Sequence, residues 1–289
     1  MLTHANPTRT LPARTVIVGA GGFVGSAIAR NLEARGADVA RLGREQIDLM
    51  DAAAAEDLAE MLNPDDTVVL VSAVAPVKDA AMLRQNIVMI EAMAAAIATA
   101  RPAHVLNIGS DAVFADSPDP LHEGSCRAAA SLHGIMHLTR EVMFTDTGVP
   151  LATLRPTLIY GADDPHNGYG PNRFRRLASD GEAIKLFGQG EERRDHVWVE
   201  DVAELAARIV LHRSTGSLNA VTGQVISFND LAQECARLHG PVAIENLPRS
   251  GPMPHDGYRP FDASAIKTAF PDMEMAAPLD GLAKVANGA

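Results

Sequence analysis

Short apolar runs alternate along the chain with longer amphipathic or alanine-rich stretches. Thr15–Val18 is a β-branched apolar run ending in a cluster of glycines, which predicts a buried strand. From Ser26 to Arg35 apolar positions such as Ile28 and Leu32 recur at helical spacing, and Gly36 stops the helix. Asp38–Leu42 predicts a second strand and, after an Ala/Glu-rich helix, Thr67–Ser72 a third. A long Ala-rich helix from Leu83 to Ala100 leads into a fourth, His104–Ile108. Leu151–Tyr160 reads as a further strand interrupted by proline, and Asp201–Leu211 as an amphipathic helix. This alternation predicts an α/β fold built on a doubly wound parallel sheet.

Two stretches depart from the alternation. Residues 168–192 and 240–260 are rich in Gly, Pro and Arg and read as loops of a smaller lobe. The expected organisation is a polar, frayed leader over 1–13 and a nucleotide-binding domain over 14–165. Segments near 194–225 return to that domain, and 166–193 with 226–289 form a C-terminal substrate-binding lobe. A chain of 289 residues is long enough for both. Only 4% of it is aromatic, so its core rests on Ala, Val, Leu and Ile.

The net charge of −11 argues against nucleic acid as a partner. The leader lacks the apolar core of a signal peptide, and no uninterrupted apolar run predicts a membrane span. The two cysteines, Cys126 and Cys235, make no disulfide framework, so a cytoplasmic location is expected.

The strongest local motif is Gly19-Ala20-Gly21-Gly22-Phe23-Val24-Gly25, between the first strand and the first helix. Glycines let a backbone turn sharply and approach a pyrophosphate, while a helix N-terminus offers free amides and partial positive charge. The other reading of such a cluster is a tight turn without a ligand. The spacing Gly19-x-x-Gly22-x-x-Gly25 resembles that of the extended short-chain dehydrogenases/reductases, the NAD-dependent epimerase/dehydratase family with its Rossmann-type domain. Further segments carry the resemblance: Asp48-Leu49, Ser72-Ala73-Val74-Ala75, Asn86, Leu154-Arg155-Pro156 with Tyr160-Gly161, Leu186-Phe187-Gly188-Gln189-Gly190, and Arg194-Asp195 through Val202. It runs from about Thr15 to the end of the chain. It implies that Gly19, Gly22, Phe23, Val24, Gly25, Asp48, Leu49, Ala73, Ala75 and Pro156 hold NAD or NADP. No acid ends the second strand; Arg44 follows it and suits the 2′-phosphate of NADP, or is a solvated surface residue. NAD and NADP therefore both remain open.

Members of this family carry a Ser or Thr after the fourth strand and a Tyr-x-x-x-Lys pair on the next helix. The matching positions here are Ser110, His133 and His137, and the chain contains no Tyr-x-x-x-Lys. A tyrosine of pKa ~10 needs a neighbouring cation to act as a base near neutrality, whereas a histidine near ~6.5 does not. His133 is thus the expected acid/base, His137 a ribose contact and Ser110 a substrate-orienting hydroxyl. Asp111, Cys126 or Glu123 acting as the base, and a site without turnover, are the competing readings. His133, His137 and Glu141 share a helix face, but Gly134 stands where a His-Glu-x-x-His zinc helix has Glu, so no metal is expected.

The resemblance also implies a nucleotide-sugar substrate, its diphosphate held by Arg194, Arg259 and Asn172. Arginine's planar fork suits phosphate; salt bridges to Asp195 and Asp262 are the plainer reading of the two arginines. The expected activity is NAD(P)-dependent epimerisation, dehydration or reduction of a nucleotide-sugar. A non-catalytic NAD(P)-binding protein of the same fold is the alternative. Relatives often pair through the helix that carries His133, so a homodimer is expected by analogy.

Overall fold

The computed structural model describes residues 1–288. In chain order, β1 spans Thr3–His4, β2 Thr15–Val18, α1 Phe23–Ala34, β3 Val39–Leu42, α2 Ala54–Met61, β4 Thr67–Leu70, α3 Ala80–Ala100 and β5 His104–Ile108. Then come α4 (Leu132–Asp146), β6 (Leu151–Pro156), β7 (Leu158–Tyr160), α5 (Pro171–Ser179), β8 (Ile184–Phe187) and β9 (Arg193–Trp198). The chain continues with α6 (Val199–His212), β10 (Ser214–Ala220), β11 (Val225–Ser227), α7 (Phe228–His239), β12 (Ile244–Leu247), β13 (Tyr258–Arg259), α8 (Ser264–Ala269) and α9 (Pro278–Ala286). Two units emerge. The first comprises Met1–Ala115, Glu123–Pro156 and Val202–Ala220; the second comprises Asp116–His122, Thr157–Asp201 and the residues from Val221 onward.

The first unit is built on a seven-stranded sheet in the order β1-β10-β6-β5-β4-β2-β3, with all strands parallel except β1. Every residue of β2, β4 and β5 is buried, as expected of parallel strands covered on both faces. Val16, Val18, Val68, Leu70 and Val105 pack with Ile90, Met93 and Ile97 of α3 and Phe144 of α4. This core is aliphatic, as the low aromatic content requires. The sheet order turns back between β2 and β4, so the loops leaving these two strands flank the crevice where α/β sheets bind ligands.

Three expectations change. The leader is not frayed: β1 pairs antiparallel with β10, and the amides of Asn6 and Thr10 donate to His212 and Leu211 carbonyls at 2.9 and 3.0 Å. A polar segment gains order by satisfying an otherwise open sheet edge. α1 starts at Phe23 rather than Ser26, because Gly22 is already its N-cap. Finally, α3 is long and apolar enough, by length and composition, to cross a membrane, a stretch the sequence pattern does not single out. Its face carrying Asn86, Ile90, Met93, Ala96 and Ile97 is buried in the first unit.

The Leu151–Tyr160 run splits at its proline. β6 lies in the sheet of the first unit, and β7 pairs with β9 in the second. Strand β9 organises the second unit, with β11 antiparallel and β13 parallel to it, while β8 and β12 form a separate parallel pair. Tyr169 packs among Phe174, Phe187 and Phe228, and Trp198 lies against the same core with the Lys284 ammonium 4.9 Å from its ring. Both aromatics are structural.

His104 opens β5, fully buried, its Nε2–H donating to the Ser214 carbonyl at 2.7 Å. Burial pushes its pKa down to about 4. The unfolded chain protonates this histidine near ~6.5. The stability it confers is therefore complete above that pH and drains away as pH falls toward 4, by about 3 kcal/mol in all. Urea denaturation between pH 7 and 4 is expected to show this slope, and His104→Asn to flatten it; an unchanged slope in the variant contradicts the assignment.

Candidate functional site

The glycine turn is fixed by close packing. Gly19 has a φ of +96°, and a Cβ there would meet the Ser72 amide that follows β4. A Cβ on Gly25 would strike the Gly19 carbonyl, so α1 can start against the turn only if residue 25 has no side chain. The Gly22 amide closes the turn onto Gly19 O at 3.1 Å. Among the described residues no side chain caps α1, and its first turn carries no acid. Its free amides and dipole are thus open to an anion. This observation makes the turn fit for a dinucleotide pyrophosphate.

Around the turn, Phe23 and Val24 are half-buried on α1, and Ala73 and Ala75 half-buried after β4. Asn86 holds that second loop, with Oδ1 accepting from the Val74 amide at 3.0 Å and Nδ2 donating to the Val74 carbonyl at 2.9 Å. Leu49 is buried in the core, and Pro156 is buried at the end of β6. Arg44 is exposed and bonded to Asp48 Oδ2 at 3.0 Å. The Met50 amide, then Arg44, hold the Asp48 carboxyl below its ordinary pKa. Arg44 and Asp48 therefore engage each other at the surface, at the end of β3.

Ser110 ends the loop after β5, and its Oγ accepts from the Ala112 amide at 3.1 Å, capping a short 3₁₀ turn over Asp111–Val113. Helix α4 is capped by Ser131, whose Oγ accepts from the Gly134 amide at 3.1 Å. Gly134 lets the helix rest on the Ala112 carbonyl, where any Cβ would collide. His133 is brought within the field of Asp111 by this packing. The rings of His133 and His137 meet edge to face, 4.7 Å between centroids. The Nδ1 atoms of both are buried and find no hydrogen-bond partner among the described residues. Burial lowers the pKa of His133, with Asp111 opposing; burial, His133 and Arg140 push that of His137 well below its ordinary value. In both, the surroundings favour the neutral imidazole.

On the same helix lie Arg140, which the sequence does not single out, and Glu141, whose partners it does not reveal. Arg140, 1% exposed, donates to Asn107 Oδ1 at 2.6 Å, Ser72 O at 2.6 Å and Leu70 O at 2.7 Å, and burial draws its pKa down to about 9. Glu141 accepts from Arg155 at 2.6 and 2.9 Å and from Arg127 at 3.1 Å. The available signal is Arg140-Glu141 itself, two adjacent charges on helix positions surrounded by apolar ones. Glu141 is thus engaged by arginines rather than turned to the histidines, and no group of three or more metal-ligating side chains occurs among the described residues. Of the competing bases, Asp111 is buried, Glu123 accepts from the Asn219 amide at 2.8 Å, and Cys126 is an exposed free thiol.

In the second unit, Arg194 on β9 and Arg259 on β13 are register partners in parallel strands, so they project from one face side by side. Arg194 donates to Glu192 at 3.3 Å, and Arg259 is bonded to Asp116. These partners, Glu192 and Asp116, are not the adjacent carboxylates that the sequence suggests. Asp195 instead accepts from Thr157, Thr222 and the Gly223 amide at 2.8–3.1 Å, and Asp262 from the Ser264 amide at 2.8 Å. Asn172 bonds the backbone at Gly161 and Ile159, tying α5 to β7.

A nucleotide-binding α/β enzyme fold is what this sheet, turn and helix define. Residues 15–221 match the model of the NAD dependent epimerase/dehydratase family, and the chain belongs to that family of enzymes. The dinucleotide its turn fits is NAD or NADP. The chain is 27% identical over 266 residues to a dTDP-4-dehydro-6-deoxy-D-allose reductase from Streptomyces bikiniensis, covering 76% of this chain and 79% of the reductase. Its fold matches the UDP-glucose 4-epimerase of Thermus thermophilus in complex with NAD, with a TM-score of 0.82 at 21% identity over 95% of this chain and 98% of that one. It also matches a GDP-L-fucose synthetase from Naegleria fowleri bound to NADP, with a TM-score of 0.83 at 14% identity, covering 99% and 95%.

Gly25→Ala is expected to weaken NAD(P) binding by more than tenfold, read by calorimetry, because the new methyl group must push the turn away from α1. Wild-type affinity in a folded variant contradicts that packing account.

Proposed function

We propose that this protein is an NAD(P)-dependent nucleotide-sugar epimerase, dehydratase or reductase in which His133 is the general acid/base. The observation that carries the reading is the state of His133. It stands at the family's tyrosine position, half-buried beside Asp111, neutral, with a ring nitrogen left unpaired by the protein. The nicotinamide, when bound, accepts or returns a hydride at a sugar carbon. His133 exchanges the proton of the sugar hydroxyl, which a neutral imidazole does without help from a neighbouring cation. Ser110, buried at the end of β5, orients the oxygen, and His137 bonds the nicotinamide ribose. Gly19, Gly22 and Gly25, with the first turn of α1, take the pyrophosphate. Arg44, once released from Asp48, reaches the adenine ribose. In the second unit Arg194 and Arg259 bind the substrate diphosphate, and Asn172 supports them by holding α5. Ile135 and Val142 are exposed on α4, the helix that the homodimer reading uses. A cytoplasmic compartment fits the two free cysteines.

One observation favours a second reading, a protein that binds NAD(P) without turnover: neither member of the Tyr-Lys pair is present. The two readings separate experimentally. With the active nucleotide-sugar, His133→Ala is expected to lower kcat by about 10²–10⁴-fold and to leave NAD(P) affinity unchanged. Measured in the direction that oxidises the sugar hydroxyl, where the neutral ring takes the proton, the kcat/KM profile of the wild type should fall only below the ordinary histidine pKa, since the folded pKa is depressed. No turnover across a panel of UDP-, dTDP- and GDP-sugars, with cofactor bound, favours the second reading.

A further inference from the structure

Within the second unit an ion pair is arranged with its cation inside and its anion outside. Arg259 is 2% exposed, whereas the Asp116 side chain that it binds is 52% exposed. His255 joins them, its Nδ1 2.5 Å from the same Asp116 oxygen. Arg259 Nη1 lies 3.1 Å from His255 Nδ1. Arginine can only donate and the carboxylate only accept, so the Nδ1–H of His255 and the guanidinium converge as two donors on one oxygen. The backbone is bent to bring this about. His255 and Asp256 are both left-handed, at φ of 52° and 50°, which non-glycine residues seldom adopt and rarely in succession. Such conformations gather where a site needs a particular presentation. Arg194, the strand partner of Arg259, completes the group.

Two donors, Arg259 and His255, therefore converge on one carboxylate that reaches in from the solvent, while Arg194 beside them is held by Glu192. A buried cation needs a counter-charge, and an exposed one can be exchanged. We propose that Asp116 is a resident competitor: it fills the anion site of Arg259 and His255, and a nucleoside diphosphate enters by displacing it, with His255 becoming a third diphosphate ligand beside Arg194 and Arg259. This rests on the assignment of the two arginines above, and adds to it a self-occupied state and a titrating ligand.

The exchange has a proton signature. The charged groups facing His255 are Asp116, Arg194 and Arg259. Burial and Arg194 keep its pKa below the usual value, with Asp116 opposing and Arg259 adding. Replacing one carboxylate by a more highly charged diphosphate raises that pKa. Binding then takes up a proton, and affinity strengthens as pH falls through the histidine range.

The test is calorimetry of the full-length protein with UDP, dTDP and GDP, in buffers of different ionisation enthalpy. Asp116→Asn, or Asp116→Ser should the first fail to fold, is expected to lower the Kd of the preferred nucleotide about tenfold, since removing a competitor frees the competent state. His255→Asn, chosen because asparagine tolerates the left-handed backbone, is expected to raise Kd about tenfold and abolish proton uptake. Unchanged or weaker binding in both Asp116 variants overturns the competitor, and proton uptake persisting in His255→Asn overturns the ligand. If Arg259→Ala binds as the wild type does, the diphosphate assignment itself falls and takes this proposal with it. Loss of binding in Arg259→Ala with Asp116→Asn unaffected overturns the proposal alone.

Discussion

Glu141 on α4 and Arg155 on β6 meet in the interior of the first unit through two charge-assisted hydrogen bonds, both side chains 4% exposed. Removing Glu141 would strand the buried Arg155 guanidinium, at a cost of about 3–5 kcal/mol. Next to Glu141 on α4, Arg140 donates its guanidinium to the ends of β4 and β5. These two anchors fix the rotation and height of α4 over the sheet. Everything proposed for catalysis depends on them, because the buried Nδ1 atoms of His133 and His137 find no hydrogen-bond partner among the described residues and the helix that carries the two rings places them. The glycine contact at Gly134 then sets how closely that helix meets Ser110 and Asp111.

The electrostatics of the site follow from the same arrangement. In the family's Tyr-x-x-x-Lys pattern a lysine stands at the position of His137, where its charge would make a tyrosine more acidic. Here the fixed positive charge has moved one turn along, into Arg140, whose three acceptors are all neutral. Its field acts with burial to keep His137 uncharged. A neutral pair of imidazoles needs no ammonium group to tune it, so under the proposed mechanism the two departures from Tyr-x-x-x-Lys amount to one chemical change.

Much of the first unit was legible in the sequence because its signals are local. β-branched runs such as Thr15–Val18 and His104–Ile108 are strands at those bounds, and the glycine turn lies between strand and helix as its spacing implies. The resemblance assigns Ser110, His133 and His137 by the same local logic, from their offsets to recognisable segments. What stayed hidden depends on contacts distant in sequence. The pairing of Thr3–His4 with β10, the Arg140 bonds to β4 and β5, and the Arg259–Asp116 partnership join residues tens to hundreds of positions apart. No pattern of hydrophobicity records them. The same limit explains why adjacency alone pairs Asp195 with Arg194, although a strand turns neighbouring side chains to opposite faces.

At the centre stand two histidines on α4 with lowered pKa values, His133 through burial opposed by Asp111, and His137 through burial with His133 and Arg140. Their titration is tested most directly by nitrogen-15 NMR of the histidine rings in the wild type, with His133→Gln and His137→Gln used to assign them. The account predicts that His133 titrates with a pKa below ~6.5 and that His137 stays neutral well below it. A His137 ring that is protonated at neutral pH, serving as the site's cation, would contradict the account.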